Sequence, residues 1–341
     1  MPPMTAPPPP PPDPDPIIAM ASAFYDSCVL FTATDLGIFA HLHEAGTAGA
    51  DALATIIGGS PRGTRLLLDA CVALGLLEKE DGAYRNTPAA DAYLVPGGPG
   101  DLVGALRYNR DVYSAWGHLP DLVRSGEPVE APEIHLGEDE VRTRTFVMAM
   151  HHRALAIGRA LVPMLSIPPS ANVLDLAGGP GTYAVFMAKT HPGIHCTVLD
   201  LPPVVQIAKE LIREQGMQDR VTTLPGSYHD TPYPGDQQVI TILGALHQES
   251  PEAIAAILRK AAGALSPGGM IHIMDMMTDT THTAPKFSAL FAVNMALTTA
   301  HGWVFSSDEM TGWLEDAGFV DISIRALPPP MPHWLATASR P

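Results

Sequence analysis

Val173-Leu-Asp175-Leu-Ala-Gly178-Gly179-Pro-Gly181 and, after residues 183–195, Cys196-Thr-Val-Leu-Asp200-Leu-Pro202 decide how this chain is read. An apolar run ends in an acid, and a glycine turn follows. A helix-compatible stretch then leads to a second apolar run, which also ends in an acid. This is the pattern of a βαβ unit that holds the adenosine end of a nucleotide-like cofactor. The glycines let backbone approach a ligand where a Cβ would collide. Asp200, at the tip of the second strand, is placed to accept hydrogen bonds from ribose hydroxyls.

Two cofactors fit these residues. Gly179-Pro-Gly181-Thr-Tyr-Ala184 matches G-x-G-x-x-A, the fingerprint of a nicotinamide dinucleotide site. Asp175 argues the other way. A carboxylate ahead of the glycines repels a pyrophosphate, but it can orient the amino-acid end of S-adenosylmethionine, directly or through water. The methyl donor is therefore preferred.

Composition narrows the class. The 341 residues suffice for two domains with separate cores. Lys and Arg number 20 against 36 Asp and Glu, a net charge of −16 that repels phosphate backbones and argues against a nucleic-acid partner. Cys28, Cys71 and Cys196 are scattered in apolar contexts, without a C-x-x-C pair, and read as buried hydrophobes of a cytoplasmic protein without a structural metal. The best apolar stretch, residues 146–165, is cut by His151, His152 and Arg153, so no membrane span is expected. No secretory signal opens the chain.

Residues 1–16 are largely proline and read as a disordered tail, with order expected from Ile17. Leu30, Ala33, Leu36, Phe39 and Leu42 recur at helical spacing. Residues 51–57 and 61–74 form helix, turn and helix, and 78–86 form a hairpin about Asp81-Gly82. Helix-turn-helix plus hairpin, over residues 17–100, is a winged-helix pattern. Its would-be recognition helix carries only Arg62 and Arg65 as cations, beside Asp69. Its face of Leu66, Leu67, Leu68, Val72 and Leu74 suits protein packing better than base reading. Residues 101–165 read as connecting helices. Residues 166–341 alternate strands near Val173, Val198, Val221, Val239, Ile271, Ile322 and Leu335 with helices, which gives a mostly parallel seven-stranded α/β sheet.

Two further stretches carry chemistry. Residues 239–247 run from a strand into a loop with His247, at the carboxyl edge where α/β enzymes collect ligands. An imidazole there can take a proton from a hydroxyl. Residues 268–275 form a turn, a strand and Asp275 at the same edge, where a carboxylate can hold one N–H of His247 and fix the basic nitrogen. Residues 287–303, with Phe291, Asn294 and Met295, are suited to wall an apolar substrate pocket.

These segments, with Pro225-Gly-Ser-Tyr228 and residues 305–319, resemble the class I small-molecule O-methyltransferases that carry an N-terminal dimerisation domain, the caffeic-acid and acetylserotonin type and their bacterial relatives. The resemblance runs from Ile17 to the end. It implies a Rossmann-like methyltransferase sheet behind a mainly helical winged-helix domain that serves homodimerisation. It implies S-adenosylmethionine held by the turn at Gly178, Gly179 and Gly181, by Asp200 with Leu201 on the ribose, and by Ser227 and Tyr228 flanking adenine. His247 matches the general base and Asp275 a glutamate that steers it. Phe146, Met150 and Met295 match residues that sandwich the acceptor.

The chain departs from the pattern at four places. Ala177 replaces the first glycine, Ser227 the acid beside adenine, Gln248-Glu249 an Asp-Trp pair, and Val304 a second supporting glutamate. A base held by one carboxylate leaves the acceptor atom open. Hydroxyl methylation is the main expectation. The alternatives are S-methylation of a small thioether acid, with Arg107, Arg110 or Arg153 clamping its carboxylate, and a non-catalytic cofactor-binding regulator.

Overall fold

The computed structural model describes residues 12–98, 100–130, 140–329 and 331–341. Most of the proline-rich segment, residues 1–11, lies outside the described residues. Helix begins at Asp15, two residues before the expected onset of order. The chain divides into two compact units, Met1–Val103 and Gly104–Pro341.

The first unit starts with helices Asp15–Ser22, Phe24–Asp35 and Ile38–Ala45, followed by β1 (Ala48–Gly49), helices Ala50–Ile57 and Pro61–Ala73, β2 (Leu77–Glu80) and β3 (Ala83–Asn86). The strands form a small antiparallel sheet in the order β1-β3-β2. Ser60 starts the fifth helix by accepting the Gly63 N–H, with Pro61 at its first position. Ile38, Phe39, Leu42, Leu53, Leu68 and Tyr84 form the core. The Tyr84 hydroxyl donates to Asp69 at 2.7 Å.

One expectation is corrected in this unit. Asp15–Asp35 is long and apolar enough to cross a membrane by length and composition, although no such run was expected. The reason is in the sequence: Asp26 is the only charged residue between Pro16 and Thr34. The helix is interrupted at Ala23, and Ile17, Ile18, Met20, Phe24 and Tyr25 are exposed on it.

The second unit is built on seven strands: β4 (Asn172–Leu176), β5 (His195–Asp200), β6 (Val221–Pro225), β7 (Gln237–Leu243), β8 (Leu265–Asp275), β9 (Val320–Ala326) and β10 (Trp334–Ser339). Their order is β6-β5-β4-β7-β8-β10-β9. The first five run parallel, and β10 runs antiparallel to both neighbours. The central parallel strands β4 and β7 are covered on both faces, which explains their apolar runs. Val173 and Val239 point into one layer with Leu161, Met187 and Ile194. Leu174 and Ile240 point into the other with Leu258, Phe305 and Leu314. Strand order reverses about β4, so the carboxyl ends of β4, β5, β7 and β8 open on one crevice.

Helices Val103–Asp111, Tyr113–Trp116, Leu119–Ser125 and Glu140–Leu161 precede the sheet, and the unit boundary places nearly all of this segment with it. Helix Lys286–Thr298 follows β8. Helix Ser307–Asp316 begins with a capping box in which Ser306 accepts the Glu309 N–H and Glu309 accepts the Ser306 N–H.

Candidate active site

Beyond β4 the backbone enters the left-handed region at Ala177 (φ 52°), Gly179 (φ 55°) and Gly181 (φ 71°). Gly181 then starts helix Thr182–Thr190. Ala177 sits where a side chain costs about 1–2 kcal/mol. At Gly178 the constraint is space: a Cβ would lie 2.5 Å from Asp175 Oδ2 and 2.9 Å from Val198 Cγ1.

The turn is tied to the next strand by Asp200, whose Oδ2 accepts the Gly179 N–H and whose Oδ1 accepts the Leu201 N–H, both at 2.7 Å. Burial pushes its pKa up, against the pull of these two N–H groups. Each carboxylate oxygen keeps a lone pair beyond its backbone bond, and Asp200 lines the cavity. That pair of acceptors fits the hydroxyls of a ribose diol.

Asp175 is placed differently from the expectation that it touches a cofactor. It is fully buried beneath the turn and is not part of the cavity wall. Its register partner across β4 and β7 is Thr241, whose hydroxyl donates to Oδ1 at 2.6 Å. Oδ2 is buried without a partner. Burial raises the pKa to about 7, helped by the charge of Asp200 and opposed by Thr241.

The cavity at the crevice has a volume of about 380 Å³. Gly178, Gly179, Leu201, Ser227 and Tyr228 line it, while Gly181 lies off the wall. The Tyr228 hydroxyl donates to Glu249, which also faces His229 Nε2 at 3.2 Å. Glu249 thus braces this end of the cavity, a role its place in the sequence did not suggest. Phe146, Met150, Phe291 and Met295 supply an apolar wall elsewhere.

Asn294 lies behind that wall rather than on it. Its Oδ1 accepts Trp116 Nε1–H at 2.9 Å, and its Nδ2 donates to the Tyr108 hydroxyl at 2.8 Å. Tyr108 is the residue of this relay that lines the cavity. Of the three arginines considered, Arg107 and Arg110 are exposed, and Arg110 lies 3.6 Å from Asp111. Arg153 lines the cavity.

His247 sits in the short 3₁₀ turn Leu246–Gln248 beyond β7, and Asp275 ends β8 next to it. His247 Nδ1 lies 2.6 Å from Asp275 Oδ1. The same carboxylate accepts the His247 backbone N–H on Oδ2 at 3.2 Å and the Met276 N–H on Oδ1 at 2.8 Å. Asp275 is buried, so both oxygens are held by the protein. A buried carboxylate accepts, so Nδ1 carries the proton and Nε2 keeps its lone pair. Phe291 meets the imidazole edge-on with centroids 5.2 Å apart. The His247 carbonyl accepts the Trp303 N–H at 2.9 Å. Val304, where a second carboxylate was weighed, is buried in an apolar cluster with Met276, Phe291 and Met295. One carboxylate and an aromatic wall therefore surround the ring.

A family of O-methyltransferase domains matches residues 116–320, and an O-methyltransferase dimerisation domain matches residues 18–96. A 3-hydroxy-5-methyl-1-naphthoate 3-O-methyltransferase from Streptomyces sahachiroi is 31% identical over 308 residues, covering 89% of this chain and 88% of that protein. The acetylserotonin O-methyltransferase of Mus musculus is 31% identical over 344 residues, covering 95% and 88%. The crystal structure of human N-acetylserotonin methyltransferase in complex with S-adenosylmethionine superposes with a TM-score of 0.84 at 27% identity, covering 96% of this chain and 97% of that one. The chain belongs to the S-adenosylmethionine-dependent O-methyltransferase family, whose members methylate hydroxyl groups of small molecules.

The state of Asp175 has a measurable consequence. Its folded pKa, about 7, lies above the unfolded carboxylate value near 3.9. Between these values the folded state holds a proton that the unfolded state has lost, so its contribution to stability declines as pH rises. Asp175→Asn removes this titration. The melting temperature of the variant minus that of the wild type, without cofactor, should increase from pH 4 to about pH 7 and then level off. A pH-independent difference would show that Asp175 is ionised throughout.

Proposed function

We propose that this chain methylates a hydroxyl of a small aromatic acceptor, with His247 as general base. The observation that carries the reading is the 2.6 Å contact between His247 Nδ1 and Asp275 Oδ1 on the wall of the cavity that Asp200 also lines. S-adenosylmethionine, when bound, supplies an electrophilic methyl group on its sulfonium. Asp200 would receive its ribose hydroxyls, and Gly178, Gly179 and Leu201 would form the adjoining backbone cradle. Ser227 and Tyr228 would flank its adenine.

The acceptor ring would lie among Phe146, Met150 and Met295, where apolar side chains exclude water. His247 Nε2 takes the hydroxyl proton as the oxygen becomes nucleophilic. Asp275 holds the ring in the required tautomer and stabilises the imidazolium that results. Orientation of the acceptor oxygen contributes up to roughly 7–11 kcal/mol in favourable cases. The base adds about 10²–10⁴-fold. The relatives named for naphthoate and acetylserotonin support an aromatic acceptor.

The same reading makes the protein a cytoplasmic homodimer joined through its winged-helix unit. Buried thiols at Cys71 and Cys196 and the match to a dimerisation domain support it. So does the exposed row of Ile17, Ile18, Met20, Phe24 and Tyr25. Light scattering at micromolar concentration should give twice the 36.2 kDa chain mass. A value equal to one chain would refute the dimer.

Catalysis is tested at His247. His247→Ala should lower turnover by roughly 10²–10⁴ while donor affinity, read by calorimetry, is kept. Asp275→Asn should be intermediate, since the amide can still hydrogen-bond the ring but no longer balances the imidazolium charge. Near-wild-type turnover in His247→Ala at saturating donor would remove the base from the mechanism and favour a thioether acceptor, whose sulfur lone pair needs no deprotonation.

A further inference from the structure

One charge on the cavity wall has no part in this mechanism. Arg153, on helix Glu140–Leu161, lines the same cavity as His247. A guanidinium drawn from water is costly unless an anion balances it. Among the described residues no carboxylate forms an ion pair with Arg153; its hydrogen-bond partner is His333, with Arg153 Nη2 3.2 Å from His333 Nε2.

That contact fixes the state of both groups. A guanidinium only donates, so Nε2 must be the acceptor and the His333 proton must sit on Nδ1. His333 is buried, and its Nδ1 has no hydrogen-bond partner among the described residues. Burial, followed by the charge of Arg153, pushes its pKa down to about 3. His333 therefore steadies the guanidinium without neutralising it. The other polar neighbours do not neutralise it either. The hydroxyls of Tyr108 and Tyr183, which also line the cavity and feel the Arg153 charge, have pKa values raised by burial and stay protonated. Asp275 is committed to His247 and to the Met276 N–H.

The cation also stands close to the reaction centre. His333 immediately precedes Trp334, which pairs in register with Asp275 across β10 and β8. The cavity thus holds, near the His247–Asp275 pair, a guanidinium that forms no ion pair among the described residues, in a chain whose net charge is −16.

We propose that Arg153 receives a carboxylate borne by the acceptor, so that the substrate is a hydroxyaromatic acid; this rests on the hydroxyl-methylation reading above. The planar fork of one guanidinium matches a carboxylate, and the apolar wall of Phe146, Met150, Phe291 and Met295 matches a ring system. His333 is a positioning residue that sets the direction of the fork.

The test uses the wild-type protein with hydroxynaphthoic acids, their methyl esters and the corresponding naphthols. Methyl transfer is followed with labelled S-adenosylmethionine, and acceptor binding by calorimetry with S-adenosylhomocysteine present. The acids should show KM and Kd values at least about tenfold below those of their esters and naphthols, as expected for a charge-assisted bond out of water. Arg153→Gln should bring the acid-to-ester ratio to about one, and Arg153→Lys should restore part of the preference.

Esters or naphthols accepted as well as the acids by the wild type would overturn the carboxylate assignment and leave hydroxyl methylation standing. Arg153→Gln lowering kcat equally for all three classes, with their KM ratios unchanged, would also overturn it, by assigning Arg153 to the reacting oxygen. No methylation of any of them, with S-adenosylhomocysteine still bound, would overturn both readings. The wild-type comparison decides even where a variant does not fold.

Discussion

The hydrogen bond between His247 and Asp275 connects the carboxyl ends of two adjacent parallel strands, and the proposed chemistry depends on it. Asp275 is buried and accepts three N–H groups, of which two are backbone and one is the imidazole. The backbone donors fix the carboxylate before it meets the ring, so the ring is oriented by the sheet rather than by solvent. This is second-layer support of the kind that sets tautomer and basicity together. Phe291 meets the ring edge-on, and among the described residues Asp275 is the one carboxylate paired with it.

The sheet brings a second acid to the same crevice by another route. Asp200 is held by the Gly179 and Leu201 N–H groups, which couple the glycine turn after β4 to the tip of β5. Asp175 lies one layer deeper, with one oxygen on Thr241 and the other unpaired. Three carboxylates at neighbouring strand ends thus have three environments: one facing the cavity, one bound to an imidazole, and one buried beneath the turn. Burial raises the pKa of both Asp175 and Asp200, and their different partners oppose it.

Features set by local pattern were legible in the sequence. All seven apolar runs are strands of the main sheet, and the central strands β4 and β7, covered on both faces, leave the clearest runs. The meeting of His247 with Asp275 was legible because both follow parallel strands, whose carboxyl ends share one edge. Depth was not legible. Asp175 lies one residue before the end of β4 and Asp200 ends β5, yet one is sealed beneath the turn and the other lines the cavity. Asn294 shares its helix with Met295 but points back to Tyr108 and Trp116. Arg107, Arg110 and Arg153 look alike in one dimension, and only helix placement puts Arg153 on the wall. His333 follows a proline-rich stretch with no periodicity to mark it.

The central claim concerns which nitrogen of His247 carries the proton, and it is read most directly by NMR of the histidine-labelled protein. With ¹⁵N in the imidazole ring, the account predicts that at neutral pH His247 shows a protonated Nδ1, with its proton shifted downfield by the bond to Asp275, and an unprotonated Nε2. Asp275→Asn should weaken or abolish the downfield signal. A His247 ring with its proton on Nε2 in the wild-type protein would contradict the account, because that nitrogen could not then receive the acceptor's proton.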